Sequence, residues 1–297
     1  MNQLTKPDHF PMPEIEEVLN WQKGFRVWSV IDLKDAFHQI PLHSGSRPCT
    51  AFTTTEGVWQ WTVMPMGLAG APARQQRLMV ELFGDLPNVV VYIDDLLIGS
   101  RDEDKDLLAN HRKDVEEVFR RLKQHKLRVK LSKCKLYQRK LVFLGQELSE
   151  DVRCPTGGHL RTVAGWKTPT NIKKLKGWLG FVGFYAAYIE NLASMAVPLF
   201  ALGRKGVKWQ WGAPEQKAFD DIKKVLLEDA CLHLIQVNKP FRIQCDACDL
   251  AVGGVLEQQN AAGEWRPCSF YSSKLTETQV RRDVCEKEAY AIIRALT

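Results

Sequence analysis

The chain has 297 residues, 45% of them hydrophobic, and a formal net charge of +6 with a pI near 8.8. This length and composition predict about two domains with sizeable cores, and the mild basicity is compatible with a polyanionic partner without requiring one. The sequence does not open with an apolar leader and contains no apolar run of about 18 residues, which argues against secretion and against a membrane-spanning segment.

The first half of the chain predicts a mixed α+β unit that ends near residue 148. "RVWSVIDL" is apolar on both faces except at Asp32, which predicts a buried strand. "APARQQRLMVELFG" predicts a helix, with Pro72 in its first turn and Gly84 at its end. "DKDLLANHRKDVEEVFRRLKQHK" predicts a longer amphipathic helix, with Leu108 and His111 on its apolar stripe. Alternation in "LRVKL" and the run "KLVFLGQEL" predict further strands.

A turn-rich region follows and leads into a glycine-containing helix. Asn171 or Thr170 can cap this helix after Pro169. Three glycines recur on it at three-residue intervals: Gly177, Gly180 and Gly183. Because each glycine weakens a helix by roughly 1 kcal/mol, we expect a close packing contact on this face.

The last region begins near Lys239. "PFRIQCDA", "LAVGGVLEQ" and "RPCSFYSSKL" predict three paired strands, and "VRRDVCEKEAYAIIRALT" predicts a helix. The eight cysteines are scattered through the chain, a pattern typical of reduced thiols in an intracellular protein. Cys245 and Cys248 have zinc-ligand spacing, but a structural zinc site needs four ligands and no second pair accompanies them.

Two adjacent carboxylates, Asp94 and Asp95, lie between apolar runs in "NVVVYIDDLLIGS". The spacing of the two runs predicts a β-hairpin, and Asp tolerates the positive φ that such turns demand. Ionised carboxylates beside apolar segments cost roughly several kcal/mol each unless a cation or hydrogen-bond donors compensate.

Asp32 shares this context because it ends an apolar strand. If the strands are neighbours in one sheet, the three carboxylates converge, and clustered hard oxygen ligands favour Mg²⁺. Two Mg²⁺ ions about 4 Å apart can clamp the attacking and leaving oxygens of a phosphoryl transfer. The alternative from spacing alone is a polar hairpin tip in water.

The motifs around the carboxylate pair occur in a fixed order. They are "VWSVIDLKDAFHQIPL", "FTTTEGVWQWTVMPMGLAGAPARQQRLM", "VVVYIDDLLIGS", "LSKC" and "LVFLGQELS". Together they closely resemble the reverse transcriptase of gypsy-type LTR retrotransposons and their retroviral relatives. The segments "TPTNIKKLKGWLGFVGFYAAYIENLASMAVPLFALGRKG" and "WGAPEQKAFDDIKKVLLEDACL" are similar to the family's thumb and connection. "KPFRIQCDACDLAVGGVLEQ" and "EKEAYAIIRAL" are similar to the start of its ribonuclease H domain.

The resemblance implies an α+β fold: a right-hand polymerase followed by the N-terminal part of a ribonuclease H-like α/β domain. Residues 1–148 would form partial fingers and the palm, 149–238 the thumb and connection, and 239–297 the ribonuclease H-like part. The implied activity is RNA-directed DNA polymerisation, with dNTPs as substrates and a DNA primer on an RNA or DNA template. Two Mg²⁺ ions per site are implied, with Mn²⁺ as a substitute.

The resemblance also implies roles for individual palm residues. Asp32 and Asp94 would hold the two metal ions, and Asp95 would complete the acidic triad. Lys133 would protonate the pyrophosphate leaving group, the alternative being a solvated surface lysine. Phe37 would exclude a ribose 2′-OH, the alternative being an ordinary core aromatic.

Further positions are assigned by the same resemblance. Those near the incoming nucleotide are Pro65, Met66, Gly67 and Ile93. Those that would contact the primer are Tyr92 and, in the hairpin of residues 143–148, Phe143, Leu144 and Gly145. Those that would track the nucleic-acid backbone, or simply form a solvated helix face, are Lys173, Lys174 and Lys176. Those that match the first two ribonuclease H metal ligands are Asp246 and Glu288.

The sequence departs from the family pattern in several places. The family normally carries a basic fingers segment before the position of Met1, and two more ribonuclease H carboxylates beyond the last residue of this chain. Met66 replaces Phe or Gln, Ala186 and Ala187 replace two basic residues, and Cys248 replaces a small polar residue. We therefore expect a polyprotein fragment, a truncated gene product or a decayed element, with weak activity or none in isolation.

Two other functions stay open at this point. One is a catalytically inactive nucleic-acid-binding relic or domesticated fragment. The other is an unrelated metal-dependent phosphohydrolase, which would need a His/Asp cluster that the seven histidines do not form. We expect no membrane partner, count a homodimer among the possibilities, and place the protein in the cytoplasm (in a virus-like particle) or in the nucleus.

Overall fold

A computed structural model of the chain divides into two compact units, residues 1–141 and 142–297. The structure describes residues 2, 5, 8–22, 24–101, 106–150, 152–204, 206–228, 231–236, 239–260 and 262–296. The first residues of the long helix predicted from residue 104, and the last residue of the C-terminal helix, lie outside these ranges. Among the described residues, no helix combines the length and apolar character needed to cross a membrane.

The first unit is an antiparallel sheet packed against helices. Its helices are α1 (Ile15–Trp21), α2 (Ala71–Phe83) and α3 (Leu107–Gln124). Its strands are β1 (Phe25–Asp32), β2 (Phe52–Thr54), β3 (Gly57–Trp59), β4 (Val89–Tyr92), β5 (Asp95–Arg101) and β6 (Lys135–Gln138). Four of them form one sheet in the order β4-β5-β1-β6, and β2 and β3 form a separate hairpin.

Side chains from the sheet and from α2 and α3 form the core of this unit. Ile31, Leu96 and Ile98 are fully buried there, together with Met79 of α2 and Val118 of α3. Burying a large apolar side chain stabilises the fold by roughly 1.5–3 kcal/mol. The uninterrupted apolar run of β1 is therefore explained by its central place in the sheet, where both faces are covered.

Most elements predicted for this unit are confirmed, with two corrections. α2 has Pro72 in its first turn and ends before Gly84, as predicted. Leu108 does not join the buried stripe of α3, since 57% of it is exposed. "LRVKL" does not form a strand but only an isolated bridge between Val129 and Leu33. The reason is that the chain turns directly afterwards, where the Lys133 amide donates to the carbonyl of residue 130.

The second unit combines a helical cluster with two sheets. Its strands, with β7 beginning at the end of the first unit, are β7 (Lys140–Phe143), β8 (Gln146–Ser149), β9 (Val152–Pro155), β10 (Leu232–His233), β11 (Phe241–Ala247), β12 (Ala251–Gln259) and β13 (Trp265–Lys274). Its helices are α4 (Gly157–Gly165), α5 (Ile172–Phe184), α6 (Leu192–Met195), α7 (Val197–Leu202), α8 (Ala213–Leu227), α9 (Glu277–Val280) and α10 (Val284–Leu296). One sheet has the order β10-β9-β8-β7 and the other β11-β12-β13, with α10 packed on β11 and β12.

The glycine-containing helix α5 differs from its prediction. Asn171 caps it, because its side chain accepts a hydrogen bond from the Lys174 amide. Nothing in the structure lies within 4 Å of the position that a Cβ would take at Gly177, Gly180 or Gly183. The expected close packing contact is therefore wrong. The buried face of α5 is the opposite one, and the glycines leave a smooth, exposed helix surface.

The expectation that all eight thiols are free is also wrong. Cys154 and Cys231 form a disulfide, with their Cα atoms 4.4 Å apart. Antiparallel pairing of β9 with β10 sets Leu232 opposite Arg153, which brings the two cysteines face to face. The partners are 77 residues apart in sequence, so neither their spacing nor their local context indicates the pairing.

Candidate active site

The candidate active site is the end of the first unit's sheet where β1 and β5 pair. Asp32, the last residue of β1, lies directly opposite Asp95, the first residue of β5. Asp94 occupies the turn between β4 and β5, and its carbonyl accepts a hydrogen bond from the Leu33 amide at 3.3 Å. Asp94 and Asp95 are adjacent in sequence, whereas Asp32 lies 62 residues before Asp94. The antiparallel register thus brings all three carboxylates to the same end of the sheet. Neighbouring strands were the condition for convergence, and the structure meets it.

The strained residue of the hairpin turn is Ile93 and not an aspartate. Ile93 has φ of 55°, in the left-handed region, whereas neither Asp94 nor Asp95 has positive φ. A β-branched residue in that region costs about 1–3 kcal/mol, so surrounding contacts must hold it there. Tyr92 precedes it at the end of β4 and pairs with Asp95.

Gln76 of α2 supplies those contacts. Gln76 is 2% exposed, and its side chain bonds the backbone at the end of β4 and at the first residue of the turn. Its Oε1 accepts from the Ile93 amide at 2.6 Å, and its Nε2 donates to the Val91 carbonyl at 3.0 Å. Gln76 was absent from the sequence prediction, although a polar residue on the buried stripe of α2 is a signal that could have indicated it.

The carboxylates are electrostatically unfavourable as they stand. Burial raises the pKa of Asp95 to about 6, and the negative charges of Asp94 and Asp32 add to that shift. Burial also raises the pKa of Asp94, with a further contribution from Asp32. A positive charge placed among these groups would lower the pKa of both Asp94 and Asp95.

Lys133 provides one positive charge at this place. Its Nζ lies 3.1 Å from Asp32 Oδ2, while 57% of its side chain is exposed. This ion pair raises the pKa of Lys133. Lys133 is therefore solvated and at the same time in contact with the acidic cluster. A solvated surface position, the alternative given by the sequence, is thus compatible with the predicted role of Lys133 as a proton donor.

The three carboxylates fit Mg²⁺ in donor type and charge but do not form a ready-made cage. Within the described residues, no group of three or more His, Cys, Asp or Glu side chains is arranged to hold a metal ion. Mg²⁺ usually takes only one or two carboxylates and completes its shell with water and substrate phosphates. Two half-buried, mutually repelling carboxylates with a third opposite them are consistent with that mode of binding.

The residues predicted to lie near the nucleotide fall in two loops of the first unit. Phe37 lies in a 3-10 turn, Ala36–Gln39, and packs half-buried against Ile40 and Met64. Pro65 is buried, whereas 66% of Met66 is exposed. Gly67 has φ of 84°, a conformation that favours glycine. Among the described residues, no hydrogen bond or ion pair joins Phe37 or residues 65–67 to the carboxylates, so their roles stay predictions.

The predicted primer hairpin is formed by β7 and β8 in the second unit. Its two turn residues, Leu144 and Gly145, have φ of 45° and 78°, as a tight hairpin turn requires. Phe143 is 3% exposed and anchors the turn in the core. A Cβ at Gly145 would overlap the His159 ring, so glycine is needed there for space as well as for conformation.

Two tyrosines brace this hairpin. Tyr185 hydrogen-bonds His159 Nδ1, and that ring lies against Gly145. Tyr188 donates to Oε1 of the buried Gln146 at 2.5 Å. Neither tyrosine was predicted to act on the hairpin, because each lies about 40 residues further along the chain.

The remaining predicted residues are on exposed surfaces of the second unit. Lys173, Lys174 and Lys176 are exposed on α5, beside its open glycine face. Asp246 and Glu288 are exposed on β11 and α10, two elements that pack together, but no contact joins their carboxylates.

The first unit also contains a buried polar network that sequence reasoning missed. His111 is fully buried between two serines, with its Nε2 2.7 Å from Ser29 Oγ and its Nδ1 2.9 Å from Ser100 Oγ. Burial lowers the pKa of His111 to about 4. The ring joins α3 to β1 and β5, the two strands that carry Asp32 and Asp95, and its place on an apolar stripe was the only sequence signal.

Comparison with known families identifies the class. Residues 1–148 match the family described as "Reverse transcriptase (RNA-dependent DNA polymerase)". Residues 211–297 match the "RNase H-like domain found in reverse transcriptase". The chain belongs to the reverse transcriptase family and carries an RNase H-like domain.

The curated relatives are retrotransposon polyproteins. The Transposon Tf2-3 and Tf2-7 polyproteins of Schizosaccharomyces pombe are each 33% identical to this chain over 298 aligned residues. The alignments cover 100% of this chain and 22% of each polyprotein. The chain thus spans about a fifth of the length of these relatives, and the predicted resemblance to retrotransposon reverse transcriptases is confirmed.

Solved structures confirm the fold. A foamy viral protease-reverse transcriptase in complex with double-stranded DNA matches 99% of this chain and 51% of its own, with a TM-score of 0.85 and 23% identity. A second such complex with double-stranded DNA has a TM-score of 0.80 and also 23% identity, and covers 99% of this chain and 61% of its own. The α+β polymerase fold with a following RNase H-like part is therefore confirmed.

Proposed function

We propose that this chain is the polymerase part of a retrotransposon polyprotein and adds dNTPs to a DNA primer paired with an RNA or DNA template. The observation that carries the proposal is the register that sets Asp32 opposite Asp95 beside Asp94, in a chain of the reverse transcriptase family. Family membership narrows the chemistry to nucleotidyl transfer. The carboxylate arrangement supplies the groups that such a transfer needs.

Asp32, Asp94 and Asp95 would hold two Mg²⁺ ions, or Mn²⁺ in their place. When bound, these ions would stabilise the charge that develops on the transferred phosphate and its leaving group. Gln76 would keep Asp94 and Asp95 in place through its bonds to Val91 and Ile93, which directly precede them. The raised pKa values of Asp94 and Asp95 support this arrangement, because a bound cation would stabilise their ionised forms.

Lys133 would hold a proton close to the departing pyrophosphate. Its ammonium group is exposed and lies within hydrogen-bond distance of Asp32, so it is beside the reacting groups and open to solvent. A general acid in that place would stabilise the leaving group. A lysine is protonated at neutral pH in any case, and the hydrogen bond to Asp32 raises the pKa of Lys133 further.

The nucleotide would be bounded by Phe37 and by the loop Pro65–Met66–Gly67, with Ile93 below it. Phe37 is half-buried and packs against the small cluster around Ile40. The part of its side chain that stays exposed would exclude a ribose 2′-OH, and the predicted preference for deoxynucleotides rests on that part.

The primer–template would contact the Leu144–Gly145 turn and α5, with Tyr92 near the primer end. A tight turn fixed by buried neighbours presents backbone groups in a defined place, and the lysines of α5 lie beside an open, smooth helix face. Two solved relatives are complexes, one with double-stranded DNA and one with an RNA/DNA hybrid, which supports a nucleic-acid partner. Asp246 and Glu288 would belong to a separate metal site in the RNase H-like part.

The test is primer extension with Mg²⁺, dNTPs and an RNA template. We expect weak extension by the chain alone and stronger extension by a version that also carries an upstream fingers segment. In that version, replacing Asp94 by Asn should reduce extension by about a thousandfold or more, because a metal ligand is removed. The matched control is Asp35→Asn, an exposed aspartate three residues after Asp32. Equal rates for Asp94→Asn and the parent, or a lack of extension in a version that also carries an upstream fingers segment, would refute the proposal.

A second candidate is a nucleic-acid-binding protein without catalysis. The observation that favours it is that the described carboxylates do not form a three-ligand group, and that Ala186 and Ala187 place no charge on the thumb. Duplex binding that is salt-sensitive but unaffected by Mg²⁺, without extension, would support this candidate over the polymerase. For either candidate function, the proposal still includes a possible homodimer. It also still places the protein in the cytoplasm, in a virus-like particle, or in the nucleus.

A further inference from the structure

The positive charge of this protein is concentrated in one short segment. Residues 126–140, here called the basic segment, contain seven Lys or Arg residues and no Asp or Glu. They are Lys126, Arg128, Lys130, Lys133, Lys135, Arg139 and Lys140. The formal net charge of the whole chain is +6, so the rest of the chain sums to −1.

The cations of the basic segment are exposed and almost all without acidic partners. All seven are exposed in the structure. Only Lys133 has an ion pair with a described residue, the pair with Asp32. By contrast, Arg112, Arg120 and Arg121 on nearby α3 are each paired with an acidic side chain. The field of the basic segment is therefore directed to solvent and not to the protein.

The fold arranges this charge along one edge of the sheet. β6 is the outermost strand in the order β4-β5-β1-β6 and pairs with β1 alone. Along β6 the exposed positions are Lys135 and Tyr137, followed by Arg139, while Leu136 packs on the core. Alternate residues of a strand are roughly 7 Å apart, so the row from Lys135 to Arg139 covers about 13 Å.

A local distortion directs an aromatic ring into the same row. The pairing of β1 with β6 is irregular, and Tyr137 has φ of 54° with 42% of the residue exposed. Its amide donates to Ser29 Oγ at 3.0 Å, and its ring lies edge-on against His111, which fixes it in place. Tyrosine side chains, like those of lysine and arginine, contact phosphate and sugar groups in protein–DNA complexes, so a fixed tyrosine fits among these cations.

The row begins at the carboxylate cluster. Lys133 contacts Asp32, and the Lys130 amide donates to the Asp32 carbonyl at 2.9 Å. From there the segment runs away from the carboxylates along β6. A strand of nucleic acid whose end reacts at the carboxylates would find its next phosphates beside this row.

We propose that the basic segment is a phosphate-backbone docking surface for the nucleic-acid duplex, with Lys135, Arg139 and Lys140 as its principal contacts and Tyr137 as an aromatic contact among them. The choice of partner rests on the proposed function, and the charge pattern itself requires only a polyanion. Because the contacts are to phosphates, binding is insensitive to sequence and weakens steeply with salt.

The competing explanation is protection of an open sheet edge. Lysines on an edge strand discourage edge-to-edge pairing with another chain. That role needs charge on β6 but predicts no effect on duplex affinity. It does not account for the run of cations before β6 or for an exposed tyrosine held at positive φ.

The experiment measures duplex affinity by fluorescence anisotropy across a range of salt, on two duplexes of unrelated sequence and without dNTPs. The test variant combines Lys135→Gln, Arg139→Gln and Lys140→Gln. The matched control combines Lys113→Gln, Lys123→Gln and Lys217→Gln, which remove the same charge from exposed positions elsewhere. A third variant, Lys135→Arg with Lys140→Arg, keeps the charge and serves if the test variant fails to fold.

The test variant is expected to bind both duplexes roughly tenfold or more weakly, with the slope of log K against log salt reduced by about 2–3. The control and the charge-keeping variant are expected to match the parent within about twofold. Equal affinity and slope for the test and control variants would overturn the proposal. So would aggregation of the test variant with unchanged affinity, which would establish edge protection instead.

The outcome is separate from that of the polymerase proposal. A chain that binds duplex through the basic segment but does not extend a primer would refute polymerase activity alone. A chain that extends a primer with unchanged duplex affinity in the test variant would refute the docking surface alone.

Discussion

Replacing Gln76 with leucine tests how the turn before the candidate metal-binding carboxylates Asp94 and Asp95 is held. The substitution keeps a similar volume but removes the bonds to the Ile93 amide and the Val91 carbonyl, at 2.6 and 3.0 Å. Both backbone groups then lose their partner in a region where Gln76 itself is 2% exposed. The positive φ of Ile93 is left without its main restraint.

The magnitude follows from these groups. An unpaired buried backbone group costs about 1–3 kcal/mol, and a β-branched residue in the left-handed region stores about 1–3 kcal/mol of strain that the turn can release by moving. We expect Gln76→Leu to lower the free energy of unfolding by about 2–4 kcal/mol. Since a displacement of about 1 Å at reacting groups can cost roughly a hundredfold in rate, nucleotide incorporation should fall by about that factor.

The assay pairs urea unfolding with single-nucleotide incorporation at saturating duplex. The matched control is Gln75→Leu, because Gln75 is adjacent and 1% exposed but its Oε1 has no hydrogen-bond partner. A double variant, Gln76→Leu with Ile93→Gly, should lose less stability than the single variant, since glycine accepts the positive φ without strain. Equal effects of Gln76→Leu and Gln75→Leu on both readouts would refute the reasoning. So would a stability loss from Gln76→Leu with an unchanged incorporation rate.

Three further predictions concern buried contacts, each of which lies within one of the two units. Burial lowers the pKa of His111 to about 4, so the stability that the neutral ring contributes above pH about 6.5 is lost as the pH falls toward 4. His111→Gln should remove about 3 kcal/mol of this pH dependence, measured by urea unfolding. Unchanged pH dependence in the variant would contradict this. Tyr188→Phe leaves the buried Gln146 acceptor unpaired and should lower the unfolding free energy by about 1–2 kcal/mol, whereas no change would show that the bond is not formed. Cys154→Ser should cost roughly 4 kcal/mol under oxidising conditions and abolish the response to reductant, and a parent protein equally stable with and without reductant would argue against the disulfide with Cys231.

Sequence reasoning succeeded where a feature is local or where several motifs occur in order. The apolar run around Asp32, the hairpin around Asp94 and Asp95, and the start and end of α2 each depend on neighbouring residues. The convergence of the acids could be stated only as a condition, because it depends on which strands pair.

The features that were missed depend on contacts distant in sequence. Gln76 bonds a turn 15 and 17 residues away, and Cys231 pairs with a cysteine 77 residues away. The positive φ was assigned to aspartate on intrinsic preference, but the Gln76 contact places it on Ile93. For Gly177 and its two counterparts, helix propensity alone suggested packing, whereas their face of α5 is open.

The central claim is that Asp32, Asp94 and Asp95 bind the divalent ions of nucleotidyl transfer. The most direct measurement is a Mn²⁺ titration by electron paramagnetic resonance, with primer–template present, of the parent chain, Asp94→Asn and the control Asp35→Asn. We predict that the parent and Asp35→Asn bind Mn²⁺ equally and that Asp94→Asn loses the tightest bound ion. Equal Mn²⁺ binding by all three proteins would contradict the account.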